Sequence, residues 1–268
     1  MKLRQLILFS ILLLYGCTEA FDFSTVSTEL DQRYQNTIQK QLAALEEGEK
    51  NTRTLDFPIS FALFSDTHMS FNKLDKAIQI VNANPDIRFI IHAGDIADNG
   101  ILREYILFHN TMKGLSAPYF TVIGNHDYLL NGEDIYTQMF GPINYSIKIN
   151  GLYIIFFDNV RWESGQEPDF EWLDNTLKTI PSEAKKLVVS HLPPWSGELD
   201  EPQQQRYINA MREAETTLSL HGHIGKFTFG TPYQDDIPYL TVDMNETDYF
   251  AVIHIYADSL QVEKIPIP

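Results

Sequence analysis

The chain has 268 residues, 44% of them hydrophobic and 12% aromatic, enough to bury a large core in one domain or two. Its 20 Lys and Arg face 36 Asp and Glu, a net charge of −16, and no stretch clusters the basic residues, so no nucleic-acid-binding surface is expected. The single cysteine, Cys17, excludes an internal disulfide and a zinc–thiolate cage.

Residues 1–16 read as a leader. Lys2 and Arg4 precede the apolar run Leu6–Leu14, which is too short to span a bilayer as a normal helix. The run closes on Leu14-Tyr-Gly-Cys17, which resembles a bacterial lipobox, with Tyr15 where a smaller residue is usual. The expectation is a signal peptide over 1–16, lipid attachment at Cys17, and export to a bacterial membrane, facing the periplasm or the surface. The alternative is an ordinary signal peptide followed by an incidental cysteine. That the sole cysteine falls at the end of the apolar run favours the anchor.

Residues 17–56 are polar, and Leu30, Tyr34, Ile38, Leu42 and Leu45 recur at spacings of three and four, which predicts an amphipathic helix over Glu29–Glu49. No Gly/Ser/Pro linker divides the remainder, so 57–268 reads as one domain. Strands are predicted at Ile59–Ser65, Ile87–His92 and Tyr119–Ile123, with helices at Asn72–Val81, Ile101–Met112 and Glu133–Phe140 between and after them. That alternation argues a mostly parallel sheet covered by helices. Asn150-Gly151 marks a hairpin between Tyr145–Ile149 and Leu152–Phe157. Helices Pro168–Leu177 and Gln203–Ala214 alternate with strands Lys186–Ser190 and Thr216–Leu220, and strands Tyr239–Val242, Tyr249–Ile255 and Leu260–Ile265 finish the chain. The expected fold is α/β: a four-layer α-β-β-α sandwich of two mixed sheets.

Five of these strands run straight into polar residues: Asp66-Thr-His68, Gly94-Asp-Ile-Ala-Asp98, Gly124-Asn-His-Asp127, His191, and His221-Gly-His223. Each alone has an ordinary explanation as a turn, a cap or a surface histidine. Together they place carboxylates, an amide and imidazoles at strand C-terminal ends, where open α/β sheets hold ligands. That mixed donor set suits Mn, Fe or Zn. A carboxylate such as Asp95 can bridge two ions roughly 3.5–4 Å apart, and such a pair lowers a bound water's pKa to about 7 and neutralises charge on a phosphoryl group.

In this order, over about residues 59–260, the set resembles the calcineurin-like metallophosphoesterase family, whose pattern is D-x-H, G-D-x-x-D, G-N-H-[DE], a lone H and G-H-x-H. The resemblance implies a phosphomonoesterase or phosphodiesterase with two divalent ions, a metal-bridging hydroxide nucleophile and a small-molecule phosphate ester as substrate. Asp66 and His68 would hold the first ion, Asp95 would bridge, and Asn125, His191 and His223 would complete the second site. His126 would protonate the leaving oxygen, oriented by Asp98 and by Asp127. One position departs from the pattern: the final histidine, a ligand of the first ion, is Gly225. Water or substrate completes that site, or His221 substitutes, or the first ion is lost. The last case makes the chain a metal-binding protein of this fold with little or no catalysis.

Among the remaining residues, His92 and His254 are expected to be packed core histidines and His109 a surface one. Trp195 is a candidate lining residue for the pocket, and Tyr128 a candidate substrate contact.

Overall fold

The computed structural model of the chain describes residues 27–50 and 57–268. The leader and Cys17 lie outside the described residues. Among those described, no helix is long and apolar enough to cross a membrane.

The first helix, α1 (Thr37–Lys50), is shorter than its apolar spacing predicts. A 3-10 turn at Gln32–Tyr34 precedes it, and Asn36 between them takes a left-handed conformation, φ +57°. Its backbone N–H donates to Gln138 O instead of continuing a helix. Leu30, Tyr34 and Ile38 still bury, so the predicted stripe packs, but from two segments rather than one.

From Ile59 onward strands and helices follow in the expected order: β1 (Ile59–Phe64), α2 (Phe71–Asn82), β2 (Ile87–His92), α3 (Leu102–Met112), β3 (Tyr119–Thr121), α4 (Gly132–Phe140), β4 (Tyr145–Ile149), β5 (Leu152–Phe156), α5 (Phe170–Lys178), β6 (Lys186–Val189), α6 (Glu201–Glu213), β7 (Leu218–His221), β8 (Thr228–Gly230), β9 (Tyr239–Thr241), β10 (Tyr249–Ile255) and β11 (Leu260–Pro266). The short strand β8 carries no apolar run and is absent from the sequence reading.

The strands form two mixed sheets, ordered β11-β10-β1-β2-β3 and β4-β5-β6-β7-β9-β8. In the first, β1, β2 and β3 are parallel; in the second, β5, β6, β7 and β9 are parallel, with β4 and β8 as antiparallel edges. Side chains of the second sheet divide by their alternation. Ile154, Phe156, Leu187, Val189, Leu218, Leu220, Leu240 and Val242 join the large core shared with the first sheet and helices α2 to α4. Ile155, Phe157, Val188 and Tyr239 face the opposite way, onto α5 and α6. A period of two sorts residues to opposite sheet faces, and this sorting is that of two sheets face to face with helices outside each.

The same topology positions the site. Parallel strands β1, β2 and β3 of one sheet and β6, β7 and β9 of the other all end at one edge of the sandwich. Cross-links hold that edge together: Asp66 N–H donates to Gly94 O (3.0 Å), Gly222 N–H to His191 O (3.0 Å), and Met244 N–H to Ser65 O (3.1 Å), the last joining the two sheets.

Candidate metal centre

The residues expected to bind metal sit in the loops leaving β1, β2, β3, β6 and β7. Four of them have left-handed backbones: Asp66 (φ +52°), His68 (+42°), Asp95 (+57°) and His223 (+74°). Non-glycine residues pay about 1 kcal/mol or more each for that conformation, and such strain gathers where side-chain placement matters. Two glycines permit the close approach. A Cβ on Gly124 would collide with the Asp95 backbone and carboxylate, and one on Gly222 with Ser65 Oγ and Asp66 Oδ2.

Asn125, His191, His223 and Asp95 come together. The Asn125 Oδ1 lies 3.1 Å from His191 Nε2 and 3.2 Å from His223 Nδ1, while Asp95 Oδ2 lies 3.3 Å from His191 Nε2. The far nitrogen of each ring is held: His191 Nδ1 faces Ala93 O at 2.8 Å, and His223 Nε2 faces Glu198 Oε1 at 2.8 Å. Each imidazole is thereby left to offer its inner nitrogen to a cation, which is how histidine ligands are normally fixed. Glu163 Oε1 accepts from Asn125 Nδ2 at 3.1 Å and orients the amide oxygen inward in the same way.

Asp66 and His68 each lie close to Asp95. Ligand atoms of Asp66, Asp95 and His191 lie within 4.8 Å of one another, and so do those of His68, Asp95 and His126. Asp95 belongs to both groups. Both Asp66 oxygens accept from His223 N–H at 3.0 Å.

His126 opens a 3-10 turn, His126–Tyr128. Its N–H donates to Asp95 Oδ1 (3.0 Å) and its Nδ1 faces the backbone oxygen of Asp98 (2.8 Å). So Asp98 holds His126 through its carbonyl. Its carboxylate, 47% exposed, lies 3.6 Å from His68 Nδ1 instead. The expected role of Asp127 needs correcting. Its fully buried carboxylate accepts from the N–H groups of Ile96, Ala97 and Gly124 and from Tyr105 Oη, at 2.9–3.2 Å. It ties the β2 and β3 loops together; no contact with the His126 ring accompanies this.

Electrostatics describe a site short of positive charge. Burial raises the Asp66 carboxyl well above its usual range, and the Asp95 and Asp243 charges raise it further, against the pull of His191. Burial also opposes ionisation of Asp95, but His191, with its hydrogen bond, and then His68 and His126 outweigh it and hold Asp95 low. Burial would lower His191, yet Asp95 and Asp66 push it up to about 10. Burial also holds Asp127 up at about 7. Two neighbouring buried carboxylates need a cation to offset their desolvation. The second oxygens of Glu163 and Glu198, buried and without hydrogen-bond partners, add to that demand. Oxygen and imidazole donors converging on a buried carboxylate pair fit divalent metal ions.

Three nearby carboxylates were not read from the sequence. Glu163 and Glu198 lie in polar loops with no pattern to mark them. Asp243 did carry a signal, an apolar strand ending in Asp, the same signature as Asp66. Conversely, His221 turns away. Its Nε2 faces Ser219 Oγ (2.8 Å), its Nδ1 faces Ser190 O (3.0 Å), and its ring stacks on Tyr239. His109, expected at the surface, is buried edge-on to Tyr34. His92 is buried against Phe108 as expected. Tyr128 is buried, its hydroxyl donating to Asp158 at 2.6 Å, and Trp195 packs with Tyr233, Tyr239 and His221.

Residues 59–227 match the calcineurin-like phosphoesterase family. The chain belongs to that family. A protein of Arcobacter nitrofigilis named probable glycerophosphodiester phosphodiesterase is 31% identical to this family member over 155 residues, 48% of this chain and 55% of that protein. One of Xenorhabdus bovienii named probable cyclic nucleotide phosphodiesterase is 36% identical over 67 residues, 25% of this chain and 27% of that protein. The chain thus spans about half, or less, of the length of these relatives. Among solved structures, a purple acid phosphatase from yellow lupin seeds superposes with TM-score 0.63 at 14% identity, covering 79% of this chain and 52% of that one. GAP50, the anchor in the inner membrane complex of Plasmodium, superposes with TM-score 0.60 at 14% identity, covering 80% and 90%. At these identities the likeness is one of fold.

Proposed function

We propose that this phosphoesterase-family chain is a metal-dependent hydrolase of small-molecule phosphate esters, with phosphodiesters the first class to test. The observation that carries the reading is the position of Asp95, whose carboxylate belongs to two donor groups at once, one with Asp66 and His191 and one with His68 and His126; the division into two sites follows the family pattern. Asp66, His68 and Asp95 would hold one divalent ion, and Asp95, Asn125, His191 and His223 a second. The bound ions supply a water acidic enough to act as nucleophile near neutral pH and neutralise charge developing on phosphorus.

The protein's own groups do the rest. Glu198 and the Ala93 carbonyl fix the His223 and His191 rings, so no reorganisation is needed when charge develops. His126 donates Nδ1–H to the Asp98 carbonyl, which leaves Nε2 to hold the proton that the departing alkoxide takes up. Asp127 keeps the two loops that carry Asp95 and His126 in register. The mention of phosphodiesters in both relatives' names favours diesters over monoesters as substrates.

A second reading has its own observation. Gly225 stands where the family pattern has a metal ligand, and a chain that failed to hold the first ion would bind metal without turning over substrate. Hydrolysis of bis(p-nitrophenyl) phosphate and of p-nitrophenyl phosphate with added Mn²⁺ separates the two. Turnover of either supports the hydrolase; none, with metal bound, leaves the second reading.

The proposal extends to location: attachment to a bacterial membrane through lipid on Cys17. Labelling with a radioactive fatty acid, lost in Cys17→Ser, is the expected result; label retained in that variant removes the anchor.

A further inference from the structure

The donor set of the first ion is one side chain short, because Gly225 replaces the last histidine of the pattern and His221 faces the opposite side of the sheet. We propose that Asp243 supplies the missing donor, completing a first site of Asp66, His68, Asp95 and Asp243. The proposal rests on the metal-centre reading above.

Topology puts Asp243 in place. Strand β9 runs parallel to β7 and beside it, in the register Ser219↔Tyr239, Leu220↔Leu240 and His221↔Thr241. Continued two residues beyond the strands, that register sets Asp243 level with His223. The next peptide, Met244 N–H to Ser65 O, fastens the same turn to the residue before Asp66. Asp243 thus stands in a sixth strand-end loop at the edge that carries the other ligands.

Its side chain meets the residue that departs from the pattern. Asp243 Oδ2 accepts from the N–H of Gly225 at 3.0 Å, the residue that lacks the side chain the pattern places there. Asp243 is 4% exposed, and the peptide that follows it is bonded to Ser65, the residue before Asp66. Among the described residues no Lys, Arg or His forms an ion pair with it. A buried carboxylate beside a second one, with no counter-ion, is costly unless a cation joins them. Each oxygen accepts one backbone N–H, Gly225 for Oδ2 and Glu246 for Oδ1, which leaves lone pairs free on both. Three carboxylates and one imidazole make this site richer in oxygen than the second, and oxygen donors favour Mn²⁺ or Mg²⁺ over the softer ions.

A purely structural Asp243, capping two N–H groups, is the competing account. The test is the number and affinity of Mn²⁺ ions bound by the full chain, measured by titration and by elemental analysis after dialysis, with melting temperature recorded for each variant. The wild type is expected to hold two ions, and Asp243→Asn, which keeps an acceptor oxygen and the shape, to lose one while the metal-free forms of the two proteins melt at the same temperature. Asp243→Asn binding two ions with wild-type affinity overturns the proposal, as does a wild type holding one ion. A wild type that binds none overturns the metal-centre reading itself. Should the variant unfold, anomalous scattering from wild-type crystals soaked in Mn²⁺ decides: a peak in coordination distance of Asp243 is expected, and a peak at Asp66 and His68 that leaves Asp243 uncoordinated refutes it.

Discussion

Glu198 Oε1 lies 2.8 Å from His223 Nε2, and the opposite nitrogen of that ring is turned to Asn125 Oδ1 at 3.2 Å. The carboxylate both selects the tautomer that presents Nδ1 inward and makes that nitrogen a stronger donor. Removing such a partner typically weakens metal binding by about 10–100-fold. Glu198→Ala is expected to lose affinity for one ion in that range, measured by competition with a chromophoric chelator, while Glu198→Gln keeps the hydrogen bond and loses less. Equal affinities in both variants and wild type would show the contact to be incidental.

His126 and Asp95 should separate cleanly. His126 Nδ1 is committed to the Asp98 carbonyl, so His126→Ala is expected to leave the ion content intact and cut turnover by roughly 10²–10⁴-fold, the usual worth of a general acid. Asp95, shared by both donor groups, is expected to take both ions with it in Asp95→Ala. One ion remaining at full occupancy would argue against a bridging carboxylate.

Asp127 is expected to act on stability. Asp127→Ala strands the buried N–H groups of Ile96, Ala97 and Gly124, at a cost of at least about 3 kcal/mol. Thermal unfolding should show a large fall in melting temperature, with Asp127→Asn intermediate. Asp98→Ala, whose carboxylate is half exposed, should unfold close to wild type.

A pH effect follows from Asp158. Burial lifts its carboxyl from 3.8 to about 6, against the opposing hydrogen bonds from Tyr128 and Val160. A raised folded-state pKa means that the native chain holds this proton more tightly. Its contribution to stability is therefore complete below pH 3.8 and is lost as pH rises through about 6, on the order of 2–3 kcal/mol. Asp158→Asn cannot titrate, so its melting temperature relative to wild type should climb between pH 4 and pH 7.5. Parallel curves for the two proteins would refute the assignment.

Much of the fold is legible because buried parallel strands must be apolar along their whole length. Runs such as Ile87–His92 and Lys186–Val189 announce themselves, and so does the switch to polar residues where they end. The misses share a cause. Strand β8 is three partly exposed residues paired only with β9, with no periodicity to detect. Asn36 breaks an otherwise helical spacing by bonding to Gln138, a residue far along the chain. His109 buries because Tyr34 arrives from outside the domain's own strand order.

The sequence alone determined the order and kind of the strand-end donors, and the departure at Gly225, since these are properties of positions along one chain. Only the tertiary structure decided that Asp98 serves His126 by its carbonyl, that Asp127 braces loops, that His221 turns away, that Glu163 and Glu198 hold Asn125 and His223, and that Asp243 is bonded to Gly225. Hydrogen bonds and metal ligation act over about 3 Å. Whether two side chains from loops far apart in sequence come that close depends on how two sheets stack, which no local pattern of residues records.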